Sequence, residues 1–115
     1  MLTLQSPSNA AALAAGTTNS ASQSAPLAGT ATMTVAIEVN VTAIAGTSPS
    51  LATTVQWSAD GTTWADASPA DAFPAITAVG ATVMAFTVKG LYYRMAYTLT
   101  GTTPTATVTT TATFM

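Results

Sequence analysis

At 115 residues the chain has the length of one domain with a modest core. Its only charged side chains are Glu38, Asp60, Asp66, Asp71, Lys89 and Arg94. They make up 5% of the sequence, against roughly 25% in ordinary soluble domains. A net charge of −2 gives no electrostatic drive toward nucleic acid or an anionic membrane. The absence of cysteine and histidine excludes disulfides, thiol nucleophiles and imidazole acid–base chemistry.

Residues 1–29 stand apart. The stretch "SPSNAAALAAGTTNSASQSAPLAG" is rich in Ala, Ser, Asn, Gly and Pro and offers few large apolar groups to bury. One or two helical turns over Asn9–Ala15, capped by Ser8 or Asn9, are expected. The segment reads as a disordered leader or as an arm that orders against a partner. In the second case Met1, Leu2 and Leu4 form its docking strand. No basic region precedes a compact apolar run, so a secretory signal is not expected. No run approaches the roughly 18 apolar residues of a membrane helix.

From Thr30 the pattern is β. Met33, Val35, Ile37, Val39 and Val41 alternate with Thr32, Thr34, Ala36, Glu38, Asn40 and Thr42, predicting a long strand with one buried face. A second strand places Leu51, Thr53, Val55 and Trp57 on one face. A turn at Ala59-Asp60-Gly61 leads to a short strand over Thr62–Ala67. Residues 68–80 read as a loop holding a short strand around Ala75–Thr77. Met84, Phe86 and Val88 then share a face, and Gly90 breaks that strand. In "LYYRMAYTL", Leu91, Tyr93, Met95, Tyr97 and Leu99 face one way and Tyr92, Arg94, Ala96 and Thr98 the other. The last strand turns Ala106, Val108, Ala112 and Phe114 inward and Thr105, Thr107, Thr109, Thr111 and Thr113 outward. About seven or eight short-spaced strands predict an all-β fold, an antiparallel β-sandwich or small barrel over residues 30–115, with residues 1–29 as an extended N-terminal arm.

One corner is written twice. "GTSPS" at Gly46–Ser50 and "GTTPT" at Gly101–Thr105 each join two β-branched runs. Glycine permits positive φ, proline cannot continue a ladder, and Thr and Ser bond local backbone. The expectation is two equivalent hairpin loops, with a contact role as the alternative. "SADGTTW", Ser58–Trp64, is similar to the Asp-box turn of sialidases with one residue fewer. Its expected role is structural, with Trp57 and Trp64 packing near one another.

The acids do not form a catalytic or metal pattern. Asp60, Asp66 and Asp71 lack the spacing of an EF-type calcium loop, and no pair is placed for two-carboxylate glycoside chemistry. The chain is therefore expected not to be an enzyme and to carry no cofactor or metal. Asn40-Val41-Thr42 matches a glycosylation sequon but lies mid-strand. Tyr92 and Arg94 share an outer strand face and are residue types enriched at contact hot spots, so they are the candidate partner-contact residues besides Met1, Leu2 and Leu4.

The run "TMTVAIEVNVTAIAGTSPSLATTVQWSADGTTW", then "FPAIT", then "LYYRMAYTLTGTTPTATVTTTATF" resembles small β-sandwich proteins encoded among the structural genes of tailed bacteriophages. The resemblance covers about residues 32–114. It implies a capsid decoration (cement) protein that binds and stabilises the outer surface of the shell. Its partner would be the major capsid protein, and it would itself form a homo-oligomer, with a trimer expected. It would neither bind nucleic acid nor enter a membrane, and it would be located on the virion after assembly in the host cytoplasm. A tail or head–tail component and a carbohydrate-binding surface module are the alternatives.

Overall fold

The structure is a computed structural model, and it describes residues 3–25 and 34–114. It is all-β, with no helix among the described residues. Seven strands form one antiparallel sheet: β1 (Thr3–Leu13), β2 (Gly16–Asn19), β3 (Gln23–Ser24), β4 (Thr34–Ser58), β5 (Ala65–Ala72), β6 (Gly80–Thr87) and β7 (Tyr92–Phe114).

The sheet is organised by β4 and β7, which pair along nearly their whole length, from Val35↔Phe114 to Ser58↔Tyr92. A straight 25-residue strand would extend about 80 Å, yet the longest dimension of the molecule is 47 Å. Both strands therefore bend, and they bend together. The register slips between Ala45 and Thr47 and again between Thr47 and Ser50, with Thr47 opposite Thr102. The bend curls the sheet into a half-barrel. On one side of it, which we call the Val35 half, β6 pairs with β4 and β1 with β7. On the other, the Tyr93 half, β5 pairs with β4, and β2 and β3 with β7.

This corrects the hairpin expectation for the doubled corner. Gly46–Ser50 and Gly101–Thr105 are not loops at strand ends. They are the matched bends of two continuous, mutually paired strands. Gly46 (φ 117) and Gly101 (φ 131) start the bends, and Ser48 (φ 50) and Thr103 (φ 45) complete them in left-handed geometry. The packing is reciprocal. A Cβ on Gly46 would meet the Pro104 Cα at 2.9 Å and the Thr102 and Thr103 carbonyl oxygens at 3.0 Å. One on Gly101 would meet the Thr47 and Ser48 oxygens at 3.0 Å and the Pro49 Cα at 3.1 Å. Each corner is thus the wall against which the other is formed, related by a local two-fold axis. Bulges of this kind are the usual means by which a sheet turns a corner.

The inner faces of both halves share one core. Val35, Ile37, Val39, Val41, Val108, Ala112 and Phe114 come from one half, and Leu51, Val55, Trp57, Tyr93, Met95, Tyr97 and Leu99 from the other. Tyr93 packs on Phe114 (centroids 5.4 Å apart) and on Trp57 (6.3 Å). Tyr97 and Thr110 share a hydroxyl–hydroxyl hydrogen bond across the core. The strand faces follow the alternation in the sequence, except that Leu91 is 52% exposed and Thr110 is buried.

The N-terminal segment departs from expectation. Of the Asn9–Ala15 stretch expected to make helical turns, Asn9–Leu13 lies in β1, whose Ala11, Ala12 and Leu13 pair with Val108, Thr107 and Ala106, and Ala14 and Ala15 follow outside any strand. Backbone ladder bonds to β7 outweigh the weak helix propensity of a few alanines. Gln5 ties this side together: its amide donates to the Ser24 carbonyl (2.9 Å) and its oxygen accepts the Tyr93 hydroxyl (2.6 Å). In the 62–80 region, β5 begins at Ala65 and continues to Ala72 instead of ending at Ala67. The expected strand near Ala75–Thr77 is a single bridge between Ile76 and Leu51.

Candidate functional site

The outer face of the Tyr93 half carries a connected group of polar and aromatic side chains, Arg94, Gln56, Asp66 and Trp64. Register builds it: Gln56 lies opposite Arg94 across β4–β7 and opposite Asp66 across β4–β5. The Arg94 Nε donates to the Gln56 Oε1 (2.8 Å), and the Gln56 Nε2 donates to the Asp66 Oδ1 (3.1 Å). The guanidinium sits 4.7 Å from the centroid of the half-buried Trp64 ring, a cation–π arrangement. Arg94 is therefore held in place from below by an amide relay and on one side by an indole.

The loop that carries Trp64 is locally self-sufficient. The Ser58 Oγ accepts the Gly61 and Asp60 amides (2.8 and 3.2 Å) and donates to the Asp60 Oδ1 (3.0 Å). The same carboxylate oxygen accepts the Thr62 and Thr63 amides, both at 2.9 Å. These backbone donors hold the Asp60 carboxyl well below the usual carboxylate range. Gly61, at φ 80, lies over the Tyr92 ring, which a Cβ would meet at 3.7 Å. The Asp60-Gly61 signal is thus a turn, as read from the sequence. Trp64 packs on Arg94 instead of pairing with Trp57.

Behind this face is a second cluster. The buried Asp71 Oδ2 accepts the Trp57 indole N–H (2.8 Å) and the Lys89 Nζ (2.7 Å), and Lys89 also donates to the Thr87 carbonyl (3.0 Å). A shallow pocket of about 270 Å³ opens beside it, lined by Trp57, Ser58, Ala59, Ala65, Asp66, Ala67 and Lys89. Gly90 makes the Lys89 turn fit, since a Cβ there would stand 2.8 Å from the Ser58 carbonyl oxygen.

The three aspartates are separately engaged: Asp60 by its own loop, Asp66 by Gln56, and Asp71 by Trp57 and Lys89. Among the described residues no three His, Cys, Asp or Glu side chains come together as a metal set.

Tyr92 and Arg94 fall on one outer face, half-buried, each already supported by a neighbour. Met1 and Leu2 lie outside the described residues, and the backbone of Leu4 pairs with Thr113 in β1–β7. Sequence reasoning missed Gln56, Asp66 and Trp64 as companions of Arg94. The alternation places Gln56 on the polar face of its strand, but its neighbours depend on register, which alternation does not encode. No known protein family, curated protein or solved structure matches the chain.

Proposed function

We propose that this chain is a non-enzymatic virion structural protein of a tailed bacteriophage, a capsid decoration protein that binds the outside of the major capsid shell and stabilises it. The observation that carries the reading is the treatment of charge. Six charged side chains serve the whole chain, and five of them are engaged within it: Lys89 with Asp71, Asp60 with its loop, and Asp66 and Arg94 with Gln56. What remains outside is a Thr-, Ser- and Ala-rich surface on long paired strands. Such a surface has little electrostatic repulsion to keep neighbours apart, and it suits a subunit packed in a lattice, where many weak contacts combine into avidity. The resemblance of residues 32–114 to phage structural proteins supports the same role. The two halves of the curled sheet are then the two layers of a β-sandwich folded about the doubled corner.

The mechanism is bridging. The sandwich spans adjacent capsomers as a homo-oligomer, a trimer in this reading, and the N-terminal segment supplies an edge for β-augmentation against the shell. The test is co-sedimentation of the purified full-length protein with empty capsid shells of the phage that encodes it. Saturable binding and a higher shell disruption temperature are expected. A variant lacking residues 1–29, checked for folding by circular dichroism, is expected to bind less. Failure of the full-length protein to bind shells overturns the reading. Specific glycan binding lost in Trp64→Ala would replace it with the surface-module alternative, and exclusive binding to tails with the tail-component one.

A further inference from the structure

The local two-fold axis at the doubled corner makes the halves comparable residue by residue. At the corner, positions fifty-five apart correspond: Gly46 with Gly101, Ile44 with Leu99, Leu51 with Ala106. β4 carries one extra residue at Thr42, because Val41 pairs with Val108 and Ala43 with Thr107. Before that bulge the correspondence advances by one. The fully buried Ile37, Val39 and Val41 then match Tyr93, Met95 and Tyr97, all at most 1% exposed. The outward residue between the first two of each set is Glu38 in the Val35 half and Arg94 in the Tyr93 half.

Glu38 and Arg94 thus hold equivalent places on the outer faces of the two halves, with opposite charge. They are also the two charged side chains with no ionic or carboxylate-capping partner among the described residues. One core lies between the two inner faces, so these outer faces look away from each other and cannot meet within one chain. Their surroundings differ in a complementary way. Glu38 stands across from Val83 of β6, 59% exposed, and from Thr111 of β7. Arg94 stands between Gln56 and the Trp64 ring, beside Tyr92. One patch is an acid with an aliphatic neighbour, and the other is a fixed guanidinium with aromatic ones.

We infer that the outer face of the Val35 half, centred on Glu38 and Val83, docks on the outer face of the Tyr93 half, centred on Arg94 and Trp64, of a second copy of this chain. The occupant is fixed by charge complementarity, since each patch supplies what the other lacks and both lie on half-sheets of one design. The contact is head-to-tail, so it closes into a ring or extends as a stack. The ion pair selects orientation and partner, while the apolar contacts around it provide most of the affinity. This goes beyond the proposed function by naming the homo-oligomer's interface. It rests on the homo-oligomeric part of that reading and not on the capsid part.

The experiment is sedimentation velocity on the full-length protein over a concentration series at low and high salt, with the charge-swap variants Glu38→Arg and Arg94→Glu. Wild type is expected to self-associate, less so at high salt. Each swap places like charges across the contact and is expected to raise the association midpoint at least about tenfold. Mixing the two variants restores complementary pairs wherever the variants alternate, so association returns in the mixture as pairs, open stacks or even-membered rings, whereas a closed odd-membered ring keeps one like-charged contact. The double swap in one chain returns it as well. Glu38→Gln and Arg94→Gln, which keep size and polarity, are expected to act in the same direction more weakly. A monomeric wild type across the series, unchanged midpoints in the swaps, or failure of the mixture to associate overturns the inference. Loss of association in Val83→Lys with no response to the charge variants also overturns it, pointing to pairing along the β6 edge. Shell co-sedimentation tests the capsid role separately, so the two proposals fail on different measurements.

Discussion

Replacing Gly46 or Gly101 with alanine tests the doubled corner most directly. Two costs arise at each site. The backbone is at φ 117 or 131, where an L side chain is strained, at about 1–3 kcal/mol. The new Cβ would also stand 2.9–3.1 Å from backbone atoms of the opposite corner, and overpacking against atoms that cannot rotate away adds about 1–3 kcal/mol. The expected loss is about 3 kcal/mol for either variant, on the order of 10 °C in melting temperature for a domain of this size. Gly16 is the control. It has φ 105, and a Cβ added there would meet nothing within 4 Å, so Gly16→Ala incurs the backbone term alone, about 1–3 kcal/mol. The decisive quantity is the coupling. Each corner forms the other's wall, so opening one makes room at the other, and the double variant should lose clearly less than the sum of the singles. Urea denaturation followed by tryptophan fluorescence and by circular dichroism supplies the numbers. Additive losses, or stabilisation by either alanine as at an unconstrained turn, would refute the interlocked corner.

Gly90→Ala forces a Cβ to 2.8 Å from the Ser58 carbonyl oxygen and is expected to destabilise by about 2 kcal/mol in the same urea assay. Asp71→Asn leaves the Lys89 ammonium without its counter-charge beside the buried Trp57 indole, at about 2 kcal/mol, with a shift in tryptophan emission. Thr53→Val removes a buried hydroxyl that has no partner among the described residues, and is expected to be neutral or stabilising by up to about 1 kcal/mol. The Asp60 carboxyl titrates lower in the fold than in the unfolded chain. Its contribution is therefore present above the unfolded pKa of about 3.9 and is lost as pH falls toward the folded value. Asp60→Asn should flatten the decline in urea midpoint below about pH 4, and an unchanged acid slope would count against the Asp60-centred turn.

The strands are legible in the sequence because each has one dry face. Val35 to Val41, Leu51 to Trp57, Tyr93 to Leu99 and Ala106 to Phe114 alternate in sequence and are buried in that alternation. The corner reads as a hairpin because Gly-Thr-Ser-Pro has the local chemistry of a loop. What makes it a bend in a continuous strand is a second copy fifty-five positions away pressed against it, a long-range fact. The N-terminal stretch reads as lacking the means to fold because its side chains are small. It is held largely by backbone ladder bonds to β7, which any non-proline residue can make, so composition carries little information there. In the candidate site, alternation alone puts Tyr92 and Arg94 together. Gln56, Asp66 and Trp64 join them through register and loop geometry, and Glu38 gains meaning only when the two halves are aligned.

The antiparallel pairing of β4 with β7 also dictates an order of events. Its Ser58↔Tyr92 end closes a loop of about thirty residues, whereas Val35↔Phe114 joins positions nearly eighty apart. Loop closure costs more as the span grows, so the β4–β7 ladder starts at its Tyr93 end and carries its register through the corner before Val35 meets Phe114. β1 has no strand to join until Ala106–Phe114 exist. On the ribosome the first strand therefore waits unpaired for the last, and folding should be slow for the chain's length, as expected of topologies dominated by distant contacts.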